Sequence, residues 1–140
     1  MSAKLYAAAV LIQASPDTVW SLLTDASSMT DWNSTIVSID GTIAKGEKIA
    51  VVSKVDPSRT FKLKVSEFEP PRHMVWSQGN FIFKGKRTYT VTDKGEGQVE
   101  VRMEEAFSGL FSGPISKSIP DLQPSFDQLV ADLKAAAEAR

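Results

Sequence analysis

Between residues 35 and 107 the apolar side chains recur at every second position, in short runs broken by turn residues. A period of two is that of a strand with one buried and one solvated face, because successive side chains point to opposite sides. Phe61, Leu63 and Val65 alternate with Lys62, Lys64 and Ser66, and Val99, Val101 and Met103 alternate with Glu100, Arg102 and Glu104. Turn signals at Asp56-Pro57-Ser58, Gly79-Asn80 and Lys94-Gly95-Glu96-Gly97 separate the runs, which favours an antiparallel meander. From Pro124 the period lengthens, and Phe126, Leu129, Val130, Leu133, Ala136 and Ala137 follow helical spacing. Half-apolar strands followed by one amphipathic helix must bury their apolar faces against each other.

The remaining elements follow from local chemistry. Residues 4–13 read as a first strand. Ser15 suits a helix N-cap, Pro16 the first helical position, and Asp17 the positive helix end, with Val19, Trp20, Leu22 and Leu23 as the apolar face of a helix to about Thr24. A second short helical piece is expected over 27–32, ending near Asn33. Strands are expected at 35–40, 48–55, from 61 until Glu69-Pro70-Pro71 breaks the run, at 74–77, 81–92 and 99–107. Gly109 and Gly113-Pro114 end the sheet. A last helix is expected over about 114–138, with its middle kinked or split by Pro120 and Pro124, since an interior proline removes a hydrogen bond and clashes with the preceding turn.

The chain has 140 residues, within the usual size of one domain, and residues 1–140 are expected to form one. Hydrophobic residues at 42% and charged residues at 24% are ordinary globular values. Sixteen basic and 17 acidic residues leave a net charge of −1 and no basic stripe, which argues against nucleic acid as a partner. There is no cysteine and one histidine, His73, so disulfides, thiol nucleophiles, Cys-based zinc sites and multi-His metal sites within the chain are excluded. The absence of cysteine suits a reducing cytoplasm, the expected location. Lys4 ahead of the apolar run Leu5–Ile12 imitates a short signal peptide, but the cleavage signature is weak and a helix start follows at once, so a strand is the better reading. No apolar run approaches the roughly 20 residues a spanning helix needs.

Several local patterns occur in a recognisable order. The first strand runs into Ala14-Ser15-Pro16-Asp17-Thr18-Val19-Trp20, and Asp25 and Trp32 follow. Gly46 opens the third strand. Pro71-Arg72 precedes Trp76. Gly85 is followed by Arg87, Tyr89 and Val91, and Glu105 by Phe107 and Gly109. From about Leu5 to Glu138 this order resembles the START-related SRPBCC superfamily, the polyketide cyclase/dehydrase-like proteins. The resemblance implies an α+β helix-grip fold: a curved antiparallel sheet of about seven strands wrapped around a long C-terminal helix, with two short helices after the first strand. It does not imply one activity, because the superfamily holds lipid and sterol carriers, hormone receptors, quinone-binding proteins and aromatic polyketide cyclases. It often has His where Arg87 stands here. An arginine does not deprotonate near neutral pH, so anchoring an oxygen-bearing ligand suits this position better than acid–base chemistry.

Strand parity selects the candidate site. Phe81, Phe83, Gly85, Arg87, Tyr89 and Val91 share the apolar face of one strand, and Val99, Val101, Met103, Glu105 and Phe107 that of the next. Arg87 and Glu105 should therefore both point inward, where an unpaired charge is costly. They are expected to form the polar end of an apolar pocket. The plainer alternatives are a structural ion pair, or an Arg87 that snorkels to the rim. Trp32, Trp76, Phe61, Phe81, Phe83, Tyr89 and Phe107 are candidate wall residues, although core packing is the simpler role for any one of them. Phe126, Leu129, Val130 and Leu133 should close the space from the helix. Trp20 is expected to pack helix on sheet, His73 to face solvent, Asp25 to anchor a turn, and the Lys62/Lys64 and Lys84/Lys86 pairs to lie on the outer sheet face.

Three functions fit. The first is binding or transport of a small hydrophobic ligand such as a lipid, quinone or polyketide-like molecule, without cofactor or metal, by a monomer or homodimer. The second is a cyclase or dehydratase using Glu105 and Tyr89 with Arg87 as electrostatic partner. The third is a protein-interaction module of the same superfamily, which would need an exposed apolar patch.

Overall fold

In the computed structural model, which describes residues 4–79, 84–108 and 122–140, seven strands form one antiparallel sheet in the order β1-β7-β6-β5-β4-β3-β2. The strands are β1 (Lys4–Ile12), β2 (Ile36–Gly41), β3 (Lys48–Ser53), β4 (Phe61–Glu69), β5 (His73–Gly79), β6 (Lys84–Gly95) and β7 (Gln98–Ser108). Helix α1 (Pro16–Thr24), a 3-10 turn (Ala26–Ser28) and the short α2 (Met29–Trp32) lie between β1 and β2, and α3 (Gln123–Glu138) ends the chain. The expected α+β helix-grip architecture is the one observed. The sheet is continuous from β2 through β7, and only the return of β1 to pair with β7 departs from a simple meander.

Helix α1 starts where the residue chemistry places it. The Ser15 hydroxyl accepts from the Thr18 N–H at 3.2 Å, and Pro16 occupies the first turn, where a missing N–H costs nothing. Val19, Leu22 and Leu23 are fully buried, and the Trp20 ring lies 5.5 Å from that of Phe68 on β4, the helix-to-sheet packing expected of it. Asp25 ends α1 and anchors the 3-10 turn by accepting from Ser27 Oγ at 2.6 Å and Ser28 Oγ at 2.9 Å. These bonds, the Ser27 hydroxyl's above all, hold its carboxyl below the usual range.

The helix expected over 114–138 is described only from Gln123, and residues 114–121, with Pro120, lie outside the described residues. Pro124 does not kink α3. It sits in the first turn, where its amide would have had no helical partner, so the helix begins there instead of breaking. Phe126, Leu129, Val130, Leu133 and Ala137 form the buried stripe, and α3 packs against β1, β7 and α1. Full burial of side chains of this size is worth roughly 1.5–3 kcal/mol each.

Helix α3 also covers an edge of the sheet. β1 is an outermost strand, and its outward backbone groups would otherwise be open to pairing with another chain. Gln123 Nε2 donates to the Ala7 carbonyl at 2.7 Å, Lys134 Nζ to the Leu11 carbonyl at 2.9 Å, and the Gln13 N–H donates to Glu138 Oε2 at 2.8 Å. At the other end of the sheet, Gly41 closes β2 with φ +111, and a Cβ there would lie 2.6 Å from the Lys48 carbonyl oxygen. No helix among the described residues is long and apolar enough to cross a membrane.

Candidate functional site

The register of β6 and β7 sets Arg87 directly opposite Glu105, with Tyr6 of β1 beyond Glu105 and Trp76 of β5 beyond Arg87. All point to the concave side of the sheet. Arg87 Nε donates to Glu105 Oε1 at 2.7 Å, and Nη1 donates to the Tyr89 hydroxyl at 3.4 Å. The guanidinium carbon stands 5.1 Å from the centre of the Phe126 ring on α3, a cation–π distance. One charged group thus ties β6 to β7 and to the closing helix.

Burial is the largest single influence on the Arg87 pKa and would lower it, but the Glu105 carboxylate and the Tyr89 oxygen together outweigh it, and the net shift is upward. Arg87 is a permanent cation. Burial pushes the Tyr89 hydroxyl up, against the opposing pull of Arg87, so it stays protonated at neutral pH. The pair is only partly closed off: 20% of the Arg87 side chain and 13% of the Glu105 side chain remain accessible, toward a cavity.

That cavity, about 260 Å³, lies between the sheet and α3. Val51, Phe61 and Leu63 supply its wall from β3 and β4, Phe107 from β7, and Leu122, Phe126 and Leu129 from the helix side. Arg87, Glu105 and Gln78 form a polar patch on β6, β7 and β5. At the β3–β4 turn, Asp56 and Arg59 line the cavity 3.6 Å from each other, with the Arg59 guanidinium 5.6 Å from the centre of the Phe61 ring. Thr35, Ser53 and Ser125 add hydroxyls. Gly85 sits close beneath this wall. A Cβ on it would meet Gln78 Nε2 at 3.2 Å and Gln78 Cγ at 3.3 Å, so that side chain would have to give by a few tenths of an ångström, while Phe107 Cε1 at 3.4 Å would be in ordinary contact.

Of the residues singled out by parity, Arg87, Glu105, Phe61, Phe107, Phe126 and Leu129 line the cavity. Tyr89, Trp76, Trp32, Val130 and Leu133 do not. Tyr89, Trp76 and Leu133 are core, at 3%, 2% and 0% exposure, and the Trp76 and Tyr89 rings meet edge to face at 5.1 Å. The indole N–H groups of Trp76 and Trp32 are buried without a hydrogen-bond partner among the described residues. Phe81 and Phe83 lie outside the described residues. His73 sits on the outer face, its Nε2 3.1 Å from Glu67 Oε1, remote from the cavity. Parity missed Gln78, a polar residue on an inward face, and Arg59 and Asp56, which lie in a turn where no period operates. Among the described residues no group of acidic or histidine side chains is arranged to hold a metal.

The sequence matches the family described as polyketide cyclase/dehydrase and lipid transport over residues 5–138. No curated protein matches it in sequence. Among solved structures, a hypothetical protein from Helicobacter pylori superposes with a TM-score of 0.76 at 15% identity, covering 96% of this chain and 88% of that one. Norcoclaurine synthase from Thalictrum, a point mutant in complex with a transition-state analogue, gives 0.69 at 14% identity, covering 99% and 96%. A START superfamily protein from Mycobacterium smegmatis gives 0.64 at 16%, covering 97% and 95%. Identities this low establish a shared fold and nothing of activity. The family match spans every element from β1 to α3, and the same architecture recurs in these structures. The chain therefore belongs to the polyketide cyclase/dehydrase and lipid transport family.

Proposed function

We propose that this protein binds a small, largely apolar molecule in the cavity between sheet and α3, with Arg87 and Glu105 at the ligand's polar end and Phe61, Phe107, Phe126 and Leu129 against its body. Trp32, Trp76, Tyr89 and Leu133 support that wall from the core. The observation that carries this reading is the partly accessible ion pair facing a cavity whose other walls are mostly apolar. Few polar groups set into an apolar concavity is the composition of small-molecule sites. The cavity volume of about 260 Å³ lies just below the range usual for drug-sized ligands, which suits a molecule of two or three rings or a short acyl chain. The family's description, which includes lipid transport, agrees.

A second reading, cyclase or dehydratase chemistry, rests on Glu105. Its Oε1 is held by Arg87, and its Oε2 has no protein partner among the described residues, so a carboxylate oxygen is available to take a proton from a bound substrate. Tyr89 is less suited to act, because its hydroxyl is buried and already engaged by Arg87.

Native mass spectrometry of the purified protein tests the binding reading. A copurifying mass of small-molecule size is expected, lost on unfolding and absent from Leu63→Trp, in which the indole fills the cavity. A ligand-free wild type that also binds no added apolar probe would overturn it. If the binding reading holds, Glu105→Gln then separates the two functions. A carrier keeps its affinity for apolar ligands, and an enzyme relying on Glu105 loses turnover.

A further inference from the structure

We infer that the Arg87–Glu105 pair selects a neutral ligand group that both donates and accepts a hydrogen bond, a hydroxyl above all, and rejects a carboxylate at that end of the cavity. This rests on the binding reading above and narrows its ligand class.

A guanidinium carries five N–H groups. In the described structure Arg87 spends Nε–H on Glu105 and one Nη1–H on Tyr89, and its remaining N–H groups have no protein acceptor. Glu105 spends Oε1 and keeps Oε2. Both residues line the cavity. It therefore receives unused donors and an unused acceptor side by side. A hydroxyl meets both needs at once, its oxygen accepting from the guanidinium and its proton donated to the carboxylate. A ketone oxygen meets only the first need, and a primary ammonium only the second.

Charge points the same way. Arg87 and Glu105 cancel, and so do Arg59 and Asp56 at the turn. Among the described residues these four are the charged side chains that line the cavity, and together they give it no net charge to hold an anion. A carboxylate brought to Arg87 would also meet the Glu105 carboxylate within hydrogen-bonding range, in surroundings that screen poorly. An isolated inward arginine would have favoured acids. Glu105 removes that preference, and this is the specific consequence of having it at the paired register position.

Three probes of one ring system isolate the effect: naphthalene, 1-naphthol and 1-naphthoate, with dissociation constants measured at pH 7 by competition or calorimetry. Hydrogen bonds to charged groups are worth enough that 1-naphthol should bind at least ~10-fold more tightly than naphthalene. The naphthoate should bind at least ~10-fold more weakly than 1-naphthol. Glu105→Gln keeps the shape and an acceptor oxygen but leaves Arg87 uncompensated, so the order of 1-naphthol and 1-naphthoate should reverse. The wild-type order needs no variant to fold and stands on its own. If the three probes bind alike, or the naphthoate binds best to wild type, the selectivity claim fails while the cavity reading survives. If none binds, the cavity reading fails and takes this inference with it.

Discussion

Replacing Arg87 with methionine keeps much of the side chain's bulk and removes its charge, which leaves two buried groups without their partner. Breaking a fully buried ion pair from one side costs about 3–5 kcal/mol. Here the side chains keep 20% and 13% of their exposure, so water can partly solvate the stranded Glu105, and about 2–3 kcal/mol is the better figure. The Tyr89 hydroxyl loses its donor at 3.4 Å, worth about 1 kcal/mol for so long a bond, and the cation–π contact with Phe126 is worth about 1 more. Methionine packing returns about 1 kcal/mol, for a net loss of roughly 3. Glu105→Leu strands the guanidinium but keeps its contacts with Tyr89 and Phe126, and should cost about 2 kcal/mol. The double variant strands neither charge. It should cost about 2–3 kcal/mol, well short of the sum of the singles, giving a coupling energy of roughly 2–3 kcal/mol. Urea unfolding followed by circular dichroism reads this directly. With m near ~1.5 kcal/mol/M, the Arg87→Met midpoint should fall by about 2 M. Additivity within ~0.5 kcal/mol would show that the two charges are solvated independently, and the site described here would not exist as a unit.

Two further outcomes follow from other parts of the fold. Gly85→Ala should cost no more than about 1–2 kcal/mol in stability, because only the Gln78 side chain must give and by a few tenths of an ångström, yet it should weaken probe binding several-fold by pushing that side chain into the cavity; unchanged binding in a folded variant would show that the wall is not where the structure has it. Asp132 of α3 accepts from the Ser34 N–H and hydroxyl and from Gln128; burial alone would raise its carboxyl, but these bonds hold it below the ordinary value of 3.8, so its contribution is complete above that value and is lost as pH falls through the lower folded-state one. Wild type should then exceed Asp132→Asn by about 1 kcal/mol at pH 6, after discounting for solvent screening, and match it near pH 2, whereas a pH-independent gap would exclude the linkage.

Arg87 and Glu105 were legible in the sequence because β6 and β7 keep strict alternation around them, and a strict period of two fixes which face a side chain takes. Alternation failed on β4, where a bulge at Ser66 shifts the register between Val65 and Glu67 and turns Phe68 toward Trp20. Parity also cannot tell an inward residue that touches a cavity from one that is packed over. Trp76, paired with Arg87, is fully covered, while Gln78, two residues along the same strand, reaches open space. That difference depends on where α3 crosses the sheet, which no local period encodes. The capping of the β1 edge is equally invisible in sequence, because Lys134 and Leu11 meet across a separation of 123 residues. The cavity's second charged pair escaped notice because turn residues such as Asp56 and Arg59 carry no burial pattern.

Methyl NMR with 1-naphthol as the probe locates ligand in the cavity between the sheet and α3. Val51, Leu63 and Leu129 line the cavity, whereas Val19, Leu22 and Leu23 pack the core under α1. The expected result is a saturable shift of the first three methyl sets with the other three nearly still. No shift, or shifts confined to exposed methyls such as those of Leu5 and Leu11 on the outer face of β1, would contradict it.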